Sequence, residues 1–277
     1  MNNRLTITVL SLIAMLSSCS EQLYFPSRAT APGVREAMDT KLVVSVKAQD
    51  NSGAGNQSSA ISPAADFAFS PVDHLGLTLS YNGVTNRKSN DDNDMAVYNG
   101  HRFDGGAGYY SNFGRLGFFE MYGGVGGGYI SLNGQPDHAF TAHYTHAYLQ
   151  PAAGVGNQKF MVTGGIRVMY QYYYNFESSN PDLPYTITSN QGQRLGNING
   201  SSFLMIEPFI NMEVGYKYIK FNLQTGFSGQ AAGEGNITGN SLPAYMSLGI
   251  VFNYAPRFSK DDSSGRKKRI KYRKGDE

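Results

Sequence analysis

The sequence predicts an all-β fold: an up-and-down antiparallel transmembrane β-barrel of about ten strands, even-numbered, with both termini periplasmic. Three observations predict it. Ten segments alternate apolar and polar residues with a period of two, the joins between them are alternately long and short, and the composition is rich in Tyr and Gly and poor in charge.

The composition bounds the class first. The chain has 19 Tyr, 33 Gly and no Trp in 277 residues, and 16% of its residues are charged, against about 25% in soluble domains. Mean hydropathy is −0.35. Beyond the N-terminus no run approaches the ~20 apolar residues that a spanning helix needs, so any crossing of a membrane is made by strands.

The first element is an export signal over residues 1–18. Arg4 supplies a positive n-region, Leu5 to Leu16 an apolar h-region, and Leu16-Ser17-Ser18-Cys19 places small residues before the only cysteine. A single cysteine forms no intramolecular disulfide, so its position carries its meaning. The stretch resembles the bacterial lipoprotein signal. That resemblance implies cleavage before Cys19 and acylation of the new N-terminus by palmitate or a similar chain; the alternative is an ordinary signal peptide with a chance cysteine. Residues 19–40 contain Pro26, Pro32 and Gly33 and no sustained period, and read as a lipidated tether. Ser20-Glu21-Gln22-Leu23 brings one acid and no acidic run, so the tether is expected to stay periplasmic.

The barrel is expected over 41–254, with strands at about 41–48, 62–70, 74–82, 100–111, 115–131, 140–150, 159–174, 203–214, 217–228 and 243–254. In the seventh, Phe160, Val162, Ile166, Val168, Tyr170 and Tyr172 share one face while Thr163, Arg167, Met169 and Gln171 share the other. A soluble β-sandwich or calycin barrel shows the same period. Join length separates the two, because outer-membrane barrels have short periplasmic turns and longer extracellular loops. Long joins at 49–61, 83–99, 175–202 and 229–242 alternate with short ones at 71–73, 112–114 and 215–216. Asn112-Phe113-Gly114 fits a three-residue hairpin with Gly in the left-handed position, a length that would make Asp104 and Tyr122 cross-strand neighbours on one face.

The last strand carries the most specific motif. Ser247, Gly249, Phe252 and Tyr254, within Ser247-Leu248-Gly249-Ile250-Val251-Phe252-Asn253-Tyr254, resemble the assembly signal of outer-membrane barrels. The resemblance implies recognition by the barrel-assembly machinery, although here 23 residues follow the motif. As a whole, residues 41–254 resemble the small Gram-negative outer-membrane barrels of the outer-membrane protein A and X kind, joined to a lipoprotein signal. This implies the cell outer membrane, with outer-membrane lipid as surroundings; it implies no substrate.

Charged residues assigned to the lumen face are Arg102, Asp104, Glu120, Arg167, Glu207, Glu213 and Lys220. A barrel of eight to ten strands is just wide enough for side chains to fill, so these are expected to pair as a structural network. The alternative is a constricted pore lined by the same residues. Asp137, His138, His143 and His146 gather near the sixth strand, yet they match the Asp-His pairs of omptin-type outer-membrane proteases poorly, and His143 and His146 are three apart and point to opposite faces. Asp91, Asp92 and Asp94 lack the Gly and distal Glu of a Ca²⁺ loop. No catalytic residue, metal site or cofactor is expected, and the Gly clusters at 105–106 and 123–128 mark close packing in strands.

Residues 255–277 read as a basic, disordered periplasmic tail. Arg266, Lys267, Lys268, Arg269, Lys271, Arg273 and Lys274 put seven positive charges in nine residues, while residues 19–256 are mildly acidic. An exported protein meets no nucleic acid, so the partners open to such a tail are lipid headgroups, the cell wall and acidic proteins; a solvated extension is the alternative. The function expected from sequence is that of a non-enzymatic accessory or scaffolding subunit of an outer-membrane assembly. A small pore or transporter is the alternative, and an omptin-like or lipid-modifying enzyme a weaker one.

Overall fold

The computed structural model describes residues 24–50, 59–89, 95–114, 116–133, 139–157, 159–178, 187–188, 194–195, 198–233 and 243–254. Its strands are β1 (Thr40–Asp50), β2 (Ser59–Val72), β3 (Leu75–Ser89), β4 (Met95–Phe113), β5 (Gly117–Asn133), β6 (Phe140–Gly156), β7 (Phe160–Ser178), β8 (Ile187–Thr188), β9 (Arg194–Leu195), β10 (Ser202–Gly215), β11 (Ile219–Phe227), β12 (Gly229–Gly233) and β13 (Ala244–Tyr254). β8 and β9 form a separate two-residue ladder. β11 and β12 are successive pieces of one wall, broken at Ser228 and both paired to β10, so the wall has ten strands.

Each wall strand pairs antiparallel with its sequence neighbour, and β13 returns to β1 from Thr40↔Tyr254 to Gln49↔Tyr245. Closure removes the sheet edge that would otherwise expose unpaired backbone groups to lipid. All ten segments read from the sequence are strands. Several run further at their loop ends: β3 continues to Ser89 and β4 starts at Met95, so most of the expected 83–99 loop is ladder. The short turns, at 73–74, 114–116, 157–159 and 216–218, all lie at the end where β1 begins and β13 finishes.

The hairpin at Gly114 differs in detail from expectation. Gly114 has φ +62°, the left-handed position, but the turn follows Phe113, which pairs with Gly117. Asp104 therefore faces Gly126 and Tyr122 faces Gly108. Both side chains still point into the lumen, because the shift is by an even number of residues.

The two faces of the wall are inverted relative to a soluble protein. Along β1, Lys41, Val43, Ser45 and Lys47 are buried, while Leu42, Val44 and Val46 are exposed. The same alternation brings Leu77, Leu79, Phe103, Val125, Leu149, Ile166, Ile210, Phe221 and Leu248 to the outside. Near the long-loop end the outer face carries a belt of rings across β3 to β7: Tyr81, His101, Tyr129, His143 and Tyr174. Their successive centroids are 5.9, 5.2, 5.9 and 6.1 Å apart. Tyr109, Phe113, Tyr216, Tyr218 and Tyr254 are exposed at the short-turn end. On β4 the belts are marked by His101 and Tyr109, eight residues apart, or ~26 Å of strand and ~20 Å along the membrane normal at a tilt of about 40°. An apolar band of that height between aromatic girdles is what a lipid bilayer requires, and the fold is a transmembrane β-barrel.

A plugged lumen as the candidate functional site

Residues 24–39 correct the expected tether. They do not hang outside the barrel; they run through it in extended form from the long-loop end to the short-turn end. At the upper end Tyr24 is buried among Ile130, Phe140, Tyr144, Met169, Tyr173 and Phe203. Phe25 stands edge-on to Tyr98, near the start of β4, at 5.7 Å. At the lower end the Arg35 guanidinium donates to the Leu116 and Gly156 carbonyls at 3.3 and 3.1 Å, and Met38 N–H donates to Ser70 O at 2.6 Å. There the chain reverses through Met38, at φ 69°, into β1.

An extended segment inside a barrel has no neighbouring strand to satisfy its backbone, and each buried backbone group left unpaired is costly. Side chains of the wall supply the missing ladder. Gln224 accepts from Ala29 N–H at 3.0 Å and donates to Ala29 O at 2.9 Å, which reproduces a strand pairing with one amide. Asn82 accepts from Arg28 N–H at 3.0 Å, Gln150 donates to Thr30 O, and Glu120 accepts from Gly33 N–H at 3.0 Å. Lys41 donates to Pro32 O at 2.6 Å and Lys47 to Pro26 O. Gly33 has φ +56°, and a Cβ there would stand 2.7 Å from Met161 Sδ.

The charged side chains form three layers. Lowest, Glu213 pairs with Lys41 and with Lys220, the latter at 3.3 Å, and Glu120 faces Gly33. In the middle, Arg28 of the segment pairs with Asp66 and donates to Asn222 Oδ1 at 2.8 Å. Highest, Arg167 pairs with Glu207 and donates to Ser27 O at 3.0 Å, while Tyr24 and Ser228 hydroxyls donate to the same Glu207. Beside them Arg102 Nε lies 2.9 Å from Asp104 Oδ1, and His146 Nε2 contacts that same oxygen. A Cβ at Gly126 would collide with both Asp104 and His146, so this glycine is what lets the pair lie across β5.

Among the described residues the buried cations Arg28, Lys41, Lys47, Arg102, Arg167 and Lys220 are matched in number by the buried acids Asp39, Asp66, Asp104, Glu120, Glu207 and Glu213. All seven charges assigned to the lumen from sequence lie there. Arg102 meets Asp104, Arg167 meets Glu207 and Lys220 meets Glu213, whereas Glu120 meets the N-terminal segment. Sequence reasoning passed over Lys41, Lys47 and Asp66, although the strict alternation of β1 and β2 places them inward. It also passed over the Asp104–His146 pair, because the two come from different strands. His143 points outward into the aromatic belt while His146 points inward. The pair is buried; the cavity next to Arg102, lined also by Tyr24, Lys47, Asn82 and Gln171, has a volume of about 20 Å³, room for about one water. No group of three His, Cys, Asp or Glu among the described residues is placed to hold a metal.

In the last strand Leu248, Ile250, Phe252 and Tyr254 face outward, and Ser247 is buried in the lumen. Cys19, Asp91, Asp92, Asp94, Asp137, His138 and the tail from Arg266 to Lys274 lie outside the described residues.

The sequence matches no protein-family model and no curated protein. Solved structures of similar shape are outer-membrane barrels. The translocator domain of the autotransporter NalP from Neisseria meningitidis is 10% identical, with a TM-score of 0.45 over 80% of this chain and 89% of that one. An outer membrane channel from Pseudomonas putida F1 is 12% identical, with a TM-score of 0.40 over 82% of this chain and all of that one. The N-terminal β-barrel domain of Pseudomonas aeruginosa OprF is 11% identical, with a TM-score of 0.32 over 79% of this chain and all of that one. Similarity at this level says nothing of what the present barrel does, and its architecture is defined by its own closed ladder.

Proposed function

We propose that the protein is a non-enzymatic outer-membrane lipoprotein barrel that does not conduct and acts as an accessory or scaffolding subunit of an outer-membrane assembly. One observation carries this reading: residues 24–35 fill the lumen along its whole length and are bonded to side chains of the wall at nearly every residue. A lumen filled in this way leaves no aqueous path, the Asp104–His146 pair is buried within it, and the cavity next to Arg102 has room for about one water. What remains available for partners is the long loops, the outer wall and the basic tail, whose cations would attract an acidic protein or anionic headgroups at about 1 kcal/mol each at most, screened by salt.

Recording in planar bilayers tests the first half. The full-length barrel should show no steady conductance. A steady open level in the intact protein would sink the reading and leave the pore alternative, which the polar wall behind the segment favours. Deletion of residues 24–38, if the barrel still inserts, should open that wall to water and give a conductance the parent lacks. Affinity purification from cross-linked outer membranes, with and without residues 255–277, tests the second half. The truncated protein should lose a co-purifying partner at low salt while its heat-modifiable mobility on gels is unchanged.

A further inference from the structure

We infer that the chain threads through its own barrel, so that the N-terminus leaves by the long-loop mouth and an acyl group on Cys19 enters the leaflet on that side. The inference rests on the lipoprotein reading of Cys19 for the lipid, and on the placement of residues 24–39 for the route.

Direction comes from the contacts. Tyr24 and Phe25 lie with Tyr98, Phe140 and Tyr173, at the long-loop ends of β4, β6 and β7, and Arg35 lies with Leu116 and Gly156 at the short turns. Reach then decides which mouth the residues before Tyr24 can use. Cys19 precedes Tyr24 by five residues, which span at most ~18 Å when fully extended. The short-turn mouth is out of reach: from Tyr98 to Phe113, β4 runs fifteen residues, ~50 Å of strand and ~38 Å along the axis at a tilt of about 40°. The lumen between is also occupied by residues 25–35 themselves. The near rim is within reach, since the wall of a ten-stranded barrel stands about 10 Å from its axis. If the short turns are periplasmic, as their length indicates, the lipid sits in the outer leaflet and the protein is tied to the cell surface from within its own pore.

The segment is also built to stay. Arg28 and Tyr24 bring their own polar groups to Asp66 and Glu207; withdrawal would take from Asp66 both the Arg28 cation and the Thr30 hydroxyl, and from Glu207 one of its three partners. The wall is thus complementary to this particular chain.

Two variants that each add one cysteine to the full-length protein, labelled beside the parent so that any signal from Cys19 is recognised, test the route in intact cells: Gln22→Cys, just before the segment, and Lys217→Cys, on the turn between β10 and β11. A membrane-impermeant maleimide carrying polyethylene glycol should modify Gln22→Cys in intact cells and Lys217→Cys only after the outer membrane is permeabilised. Modification of both after denaturation calibrates the label. Protection of both in intact cells, or modification of both, would put the two sites on one side and overturn the threading. Modification of Lys217→Cys alone would overturn the assignment of the long-loop mouth to the outside. Palmitate incorporation, expected in the parent and lost in Cys19→Ala, is read separately. If the parent incorporates none, the lipid reading fails and Cys19 keeps its thiol; the same two variants in a Cys19→Ala background then decide the route.

Discussion

The outer and inner faces of the same strands follow different rules. On the outside, Leu77, Leu79, Val125 and Ile166 need only be apolar, because lipid chains have no positions to match. On the inside, Asn82, Gln150 and Glu120 each meet one named atom of the N-terminal segment, and Gln224 and Lys41 two each. Exchange of one apolar residue for another should therefore be nearly silent outside, while loss of one polar partner inside leaves a buried group without its bond. The comparison teaches that in this barrel the lumen face is matched atom by atom to the N-terminal segment, while the membrane face is held to apolar character.

The largest effect should come from the highest layer. Glu207 takes Arg167, Tyr24 and Ser228 at once, so Glu207→Leu strands a buried guanidinium and two hydroxyls. Breaking a buried pair in this way costs about 3–5 kcal/mol. Urea unfolding in detergent should show that loss, and Arg167→Met combined with Glu207→Leu should recover part of it, because the combination removes the orphaned charge. A double variant no better than the single one would mean that the layer is held by Tyr24 and the segment instead of by the ion pair.

A charge on the outer face should come next and should depend on depth. Leu79 is 59% exposed and pairs with Gly105, midway between the belts at His101 and Tyr109. Leu79→Arg is expected to cost about 2–4 kcal/mol, as a cation does at the bilayer midplane. Phe252→Asp lies two residues before the end of β13 and should cost less thermodynamically, about 1 kcal/mol near the interface, yet impair assembly if the motif of the last strand is read during insertion. Leu79→Phe should assemble like the parent. Equal penalties for Leu79→Arg and Leu79→Phe would mean that this face packs against protein.

Most of the wall could be read from the sequence, and the physical reason is its period. One face of β1 reads Lys41, Val43, Ser45, Lys47 and the other Leu42, Val44, Val46, and parity alone sends each to its side. Register was less legible. Gly114 advertised its left-handed turn, but nothing local fixed which residues flank it, so the partner of Asp104 was misjudged. The plug was not legible at all. Pro26, Pro32 and Gly33 look like a tether because a segment bonded to side chains, with no strand beside it, needs no alternation. Its signature is displaced onto the wall, in amides such as Asn82, Gln150 and Gln224 facing a lumen that a water-filled pore would not oblige them to fill.

Loss of one of those amides tests the plug directly. Gln224 bonds both backbone groups of Ala29, and Gln224→Leu leaves a buried N–H and C=O without partners at about 1–3 kcal/mol each. Part of that is relieved if the segment shifts. The urea midpoint should fall by less than in Glu207→Leu, and proteolysis near residue 29 should quicken. A variant with the parent's midpoint and protection would mean that water replaces the amide and that the fit between wall and segment is loose.

The smallest effect is a pH dependence at the lower end, where the segment turns into β1. Asp39 closes this turn by accepting Arg35 N–H at 2.8 Å and Glu36 N–H at 3.2 Å. Burial pushes its carboxyl up from 3.8 to about 6, the Glu36 charge adds to the rise, and the two backbone bonds and Arg35 oppose it. Because the folded value lies above the unfolded one, the folded state holds the proton more tightly. The contribution is fully present below about 4 and is lost as pH rises through about 6. Asp39→Asn keeps an acceptor oxygen for the two N–H groups and removes the titration. The parent's thermal midpoint, followed by circular dichroism, should therefore drop slightly between pH 5 and pH 8 relative to that of Asp39→Asn. A parent that instead gains on Asp39→Asn over this range would show the carboxylate acting as a charged cap whose bonds outweigh its burial, and the turn would then tighten with rising pH.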